Sequence, residues 1–128
     1  MESIFSKIVA GTVPSHKVWE DDDHLAFLDV RPVTVGHTLV IPKKQVDYLF
    51  DLSSEEYDAL WRAVRTVEAG LRRALDTKRI VVSVVGWEVP HVHVHLIPTN
   101  GIGDYPFPAS MDSPEDPEAL SARLREAF

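Results

Sequence analysis

Three histidines, His91, His93 and His95, recur at every second position, with Val92 and Val94 between them and Leu96-Ile97-Pro98 after them. They are half of the six histidines in the chain. A neutral imidazole is a nucleophile and a proton carrier near pH 7, and it is also the commonest metal ligand. The pattern therefore poses three readings. The row could ligate a metal such as zinc, it could attack and move protons, or it could be the wetted face of an ordinary strand. Metal ligation needs partners from elsewhere, and the other three histidines are scattered at positions 16, 24 and 37.

Only some backbones let the three rings act together. In a strand, alternate side chains share a face, with imidazoles roughly 6–7 Å apart and Val92, Val94 and Leu96 turned into the core. In a helix, at about 100° per residue, the rings would spread over about 200°. The β-branched valines favour the strand. Arg79–Gly86 is nearly all apolar and β-branched and predicts a strand buried on both faces, pairing antiparallel with the histidine segment through the short 86–90 connection. Lys17–Glu20 and Leu25–Leu28 read as two strands around Asp21-Asp22-Asp23, and Thr38–Ile41 as another that ends at Pro42. Ser53-Ser54-Glu55-Glu56 is a capping box opening a helix to about Asp76. That helix carries the stripe Tyr57, Leu60, Trp61, Val64, Val67, Leu71, a core face rather than a cofactor site. A short helix is expected over 3–10, stopped by Gly11, and a last one from Asp116-Pro117. The Gly- and Pro-rich stretch 99–113, with Tyr105, Phe107 and Met111, reads as a lid or partner-contacting loop.

The motif His91-Val92-His93-Val94-His95-Leu96-Ile97 resembles the His-φ-His-φ-His-φ-φ signature (φ apolar) of the histidine triad superfamily of nucleotide hydrolases and transferases. Phe27-Leu28-Asp29-Val30, Gly36-His37-Thr38-Leu39-Val40-Ile41-Pro42-Lys43-Lys44, Ile4-Phe5-Ser6-Lys7-Ile8 and Val13-Pro14 are similar to its N-terminal half. The resemblance runs from about residue 3 to 98 and is nearest to the bacterial, phosphoramidate-hydrolase branch. It implies an α+β fold: an antiparallel sheet of about five strands with helices on one face, dimerising. Residues 1–98 would form the nucleotide-binding core, with the loop and helix of 99–128 part of the same single domain.

The resemblance also implies roles. His93 maps onto the nucleophile and His95 onto the group that binds phosphate or gives a proton to the leaving atom. His91 and His37 would orient the row and sustain its protonation. Phe5, Ile8, Phe27 and Val30 would wall a purine slot, and Asp29 would accept both ribose hydroxyls. Ser83 and Gly86 fall in the phosphate region, where Trp87 replaces a usual glutamine and Glu88 a small hydroxyl residue. The expected reaction is hydrolysis of a purine nucleoside phosphoramidate through a nucleotidyl-histidine, with at least one ionisation limit near neutral pH. Dinucleoside polyphosphate hydrolysis is the alternative, or a nucleotide-binding module with weak turnover, which the Trp87 and Glu88 departures suggest. A metal-dependent hydrolase is the remote class, separable by insensitivity to chelator. Many members bind structural zinc through a Cys-x-x-Cys in the first helix and downstream histidines. Here Ser3, Ser6 and Gln45 occupy those positions and are poor zinc ligands, so no zinc and no other cofactor is expected.

Composition narrows the field without choosing. The 128 residues, 45% hydrophobic and 26% charged, suit one soluble domain. A net charge of −7 argues against general nucleic-acid binding. Zero cysteines remove disulfides, thiolate nucleophiles and Cys-type zinc sites. With no long apolar run, signal peptide or lipidation motif, a cytoplasmic homodimer acting on a small nucleotide is expected, with no membrane partner.

Overall fold

Ser3 opens helix α1 (Ile4–Ala10) by accepting the Ser6 N–H on its side chain, and Gly11, at φ 82°, closes it. The computed structural model describes residues 1–105 and 116–128. Strands β1 (Lys17–Glu20) and β2 (His24–Leu28) form a hairpin, with Asp21 Oδ1 accepting the Asp23 and His24 N–H groups at the turn. Then come β3 (Thr38–Pro42), α2 (Ser54–Ala74), β4 (Arg79–Ser83), β5 (Val94–Thr99) and α3 (Pro117–Arg125), with short 3-10 turns at Leu49–Asp51 and Ile102–Asp104. The capping box of Ser53 and Glu56 is present in both directions.

The five strands form one antiparallel sheet in the order β1-β2-β3-β5-β4. Strand β3 runs through its centre with all five residues buried. Its alternation sorts the core into two layers. Val40 joins Ala26, Val94 and Leu96 beneath Leu60, Val64, Val67 and Leu71 of α2. Leu39 and Ile41 join Leu25 and Phe27 beneath Phe5 of α1. A central strand apolar on both sides needs cover on both sides. The helices consequently lie on opposite faces, not on one face as expected. Helix α3 buries none of its residues.

Two strand expectations change. Strand β4 is a sheet edge rather than a strand buried on both faces, and Val82 and Val84 are exposed along or just beyond it. The histidine strand begins only at Val94, so His91 and His93 precede the ladder. The alternation survives without strand pairing because the Val92 N–H donates to the Val46 carbonyl at 2.7 Å, which turns Val92 into the α2 core. Of the loop expected over 99–113, Phe107 and Met111 lie outside the described residues.

Candidate active site

The ring nitrogens of the histidine row are oriented largely by the main chain. The Val33 N–H donates to His37 Nδ1 at 3.0 Å. A neutral imidazole that accepts at one nitrogen carries its proton on the other, so His37 is protonated at Nε2. It donates that proton to His95 Nδ1 at 2.9 Å. By the same reasoning His95 carries its own proton on Nε2. His93 Nδ1 lies 2.7 Å from the His91 carbonyl, which can only accept. His93 is therefore protonated at Nδ1 and holds a lone pair on Nε2. The His93 and His95 ring centroids are 5.1 Å apart. A nitrogen lone pair and a neighbouring N–H donor stand side by side, an arrangement suited to attack on one atom and hydrogen-bond donation to its neighbour.

Burial disfavours the charged forms of His95 and His37. His95 is pushed down to about 4 by burial first, then by His93 and His37, with Asp29 opposing. His37 is pushed down by burial, partly offset by the nearby Asp29 carboxylate. With His37 neutral, its 3.5 Å approach to Asp29 Oδ2 is a weak polar contact rather than an ion pair.

His91 does not join the other two. It is 0% exposed, its Nε2 faces the Pro42 carbonyl at 2.7 Å, and its Nδ1 lies 2.7 Å from Ser3 Oγ. With both nitrogens engaged, it positions the row through its carbonyl and presents nothing to a substrate. Burial also holds its pKa below the ordinary range.

The walls separate in the same way. Phe5 meets His93 edge-on at 4.9 Å and Phe27 at 5.5 Å, and Ile8 packs against this cluster. Asp29 follows the end of β2, and its N–H is bonded to the His37 carbonyl at 3.0 Å. Val30 is 87% exposed and stands clear of that cluster. Ser83 ends β4 directly opposite His95 in the ladder. Gly86, at φ 76°, turns the chain so that Trp87, 91% exposed, and Glu88 face a cavity of about 700 Å³. His93 borders the same cavity, as do Asp47, Tyr48 and Phe50. The last three were missed in the sequence, where nothing marks them except two aromatics spaced around Leu49.

Asp29, His37 and His95 offer ligand atoms within 4.8 Å of one another, the one such group among the described residues. A cation there would have to displace the proton His37 gives to His95. At the positions where the family resemblance implies structural-zinc ligands, Ser3, Ser6 and Gln45 supply two hydroxyls and an amide already bonded to one another and to His91. Such a donor set does not fit zinc.

The HIT domain family model matches residues 10–102. The chain belongs to the histidine triad (HIT) family. The crystal structure of a HIT family member from Bacillus subtilis superposes with a TM-score of 0.83 at 33% identity, covering 100% of this chain and 98% of that one. The purine nucleoside phosphoramidase of Escherichia coli is 36% identical over 109 residues, 80% of this chain and 91% of that enzyme. A zinc-bound histidine triad protein from Mycobacterium smegmatis has a TM-score of 0.75 at 28% identity, covering 98% and 96% of the two chains. HIT membership places the chain among nucleotide hydrolases and nucleotide-binding proteins. Among the described residues no helix is long and apolar enough to cross a membrane.

Proposed function

We propose that this HIT protein hydrolyses purine nucleoside 5′-phosphoramidates without a metal, through a nucleotide carried on His93. The observation that carries the reading is the bond between His93 Nδ1 and the His91 carbonyl, which reserves the Nε2 lone pair beside the cavity. His93 Nε2 attacks phosphorus in line and the P–N bond to the amine breaks. His95 Nε2–H hydrogen-bonds to the phosphoryl group, and the departing nitrogen, protonated from solvent, leaves as the amine. Water then attacks phosphorus, loses a proton to solvent, and releases the monophosphate with the His93 lone pair restored. Asp29 holds the ribose, and Phe5, Ile8 and Phe27 flank the base.

The cavity supports an amine leaving group over a second nucleotide. Asp47 and Glu88 are among its walls, and among the described residues no lysine or arginine lines it. A polyphosphate there would meet two carboxylates with no nearby cation to balance it, whereas an amine would not. The same carboxylates favour, as a second reading, a module that binds nucleotide and turns over slowly.

Exposed Val82 on the β4 edge and Val84 just beyond it support pairing of two copies through the unpaired β4 edge. Sedimentation at micromolar concentration is expected to give a dimer, and a monomer there would remove that part of the reading.

Intact mass after brief mixing with adenosine 5′-phosphoramidate tests the route, with His93→Ala alongside and chelator in both. A nucleotidyl adduct in the native protein alone is the expected result. Turnover by His93→Ala at the native rate would overturn the covalent route, and loss of turnover with chelator would overturn metal independence. AMP binding with neither adduct nor turnover would select the binding module.

A further inference from the structure

Behind the histidine row lies a second polar cluster that takes no direct part in the proposed chemistry. Ser3 is 4% exposed and His91 0%. The Ser3 and Ser6 side chains, the Ser3 N–H and Gln45 all converge on this spot. Gln45 Oε1 accepts from the Ser3 N–H and from the Ser6 hydroxyl, each at 2.8 Å. Gln45 Nε2 donates to the Met1 carbonyl at 2.9 Å. Ser3 Oγ accepts the Ser6 N–H at 2.9 Å and sits 2.7 Å from His91 Nδ1.

Proton placement in this cluster has one consistent solution. The Pro42 carbonyl cannot donate, so the proton of a neutral His91 is on Nε2. His91 Nδ1 is then a buried lone pair that needs a donor. The Ser6 hydroxyl is engaged with Gln45, which leaves the Ser3 hydroxyl to supply it. Gln45 and Ser6 hold Ser3, Ser3 holds the His91 ring, and the His91 carbonyl receives the proton of His93.

We infer that Ser3, Ser6 and Gln45 form a hydrogen-bonded clamp at the positions where the family resemblance implies zinc ligands, and that Ser3 is a positioning residue: its hydroxyl complements the His91 tautomer that the Pro42 carbonyl selects and so holds in place the residue whose carbonyl takes the His93 proton. The clamp also seats the start of α1, whose Phe5 meets His93, so one cluster fixes both the nucleophile and the wall beside it. This explains how the N-terminal segment is anchored with a donor set that does not suit a metal.

The test separates tautomer from turnover, since its effect on rate rests on the phosphoramidase reading while its effect on the ring does not. Long-range imidazole nitrogen–proton spectra of the full chain at pH 7.5 are expected to show His91 protonated at Nε2 and His93 at Nδ1. Ser3→Asp keeps a good helix cap but cannot donate to His91. It is expected to give His91 a proton at Nδ1 and to lower kcat roughly tenfold, about 1.4 kcal/mol of transition-state stabilisation, with KM little changed. Ser3→Thr, which keeps the hydroxyl, is expected to restore the native spectrum and kcat. A native His91 protonated at Nδ1 overturns the inference, as does a Ser3→Asp protein whose His91 spectrum is native. If Ser3→Asp does not fold, the native spectrum still decides. Added zinc chloride at one equivalent is expected to leave the His91 signals in place, and zinc bound stoichiometrically through His91 would also overturn the clamp.

Discussion

Protonating His95 should cost this protein stability, and the size of the loss follows from where the ring sits. In the folded chain its pKa falls from 6.5 to about 4. The unfolded chain therefore binds the extra proton first as pH drops. Stability is full above about pH 6.5, declines through the window down to about 4, and levels off below it. At about 1.4 kcal/mol per pH unit the ceiling is about 3 kcal/mol. The ring keeps some solvent contact, and screening reduces the expectation to on the order of 1–2 kcal/mol. His95→Asn removes the titration while leaving an acceptor for the His37 Nε2 proton. Urea unfolding of native and variant proteins at pH 7.5, 5.5 and 4 reads the difference directly. The variant should lose less stability than the native protein on going from pH 7.5 to 4, by that 1–2 kcal/mol. An unchanged gap between the two at all three pH values would refute the premise that the folded protein excludes the His95 proton.

Gly36→Ala places a Cβ 2.5 Å from Leu75 Cδ1 at a residue with φ 91°, directly before His37. A loss of about 1–3 kcal/mol by urea unfolding is expected, with kcat falling as His37 shifts, and a neutral change in both would contradict the packing described. Ser53→Ala breaks the capping box of α2 and should cost about 1 kcal/mol in the same assay without changing KM. Leu60→Ala, at a fully buried position under the sheet, should cost about 2–5 kcal/mol, and a smaller loss would mean that α2 packs less tightly than its burial indicates. His37→Ala removes the donor to His95 Nδ1 and should slow turnover about 10²-fold or more, measured with adenosine 5′-phosphoramidate.

Local signals carried much of the fold. Helix α2 was legible because a cap, a stripe and a length agreed, and the hairpin because Asp21 supplied turn chemistry between apolar runs. The row of histidines was legible from spacing alone. What was not legible depended on who covers what. A run such as Ile80-Val81-Val82 has the same composition at a sheet edge as at a sheet centre, and only the strand order distinguishes them. Helices on opposite faces follow from the two-sided burial of β3, which a short apolar strand does not announce. Within the site, Ser3, Ser6 and Gln45 were recognisable as poor zinc ligands. Their bonds to Gln45 and to His91 join residues 39 to 88 positions apart, beyond any local pattern. The cavity walls Asp47, Tyr48 and Phe50 were invisible for the same reason.

Three of the contacts that assign protons in the row involve main-chain atoms: the Val33 N–H, the His91 carbonyl and the Pro42 carbonyl. Most substitutions leave such atoms in place, so, Ser3 and His37 apart, the chemistry is insulated from the identity of the surrounding side chains. The cavity, by contrast, is bounded chiefly by side chains such as Tyr48, Phe50, Trp87 and Glu88 on loops and turns. A lineage, or an engineer, can rebuild those walls for a new leaving group while the nucleophile keeps its lone pair and its neighbour keeps its proton. One scaffold could in this way serve many substrates, diversifying at the rim with its catalytic settings inherited unchanged.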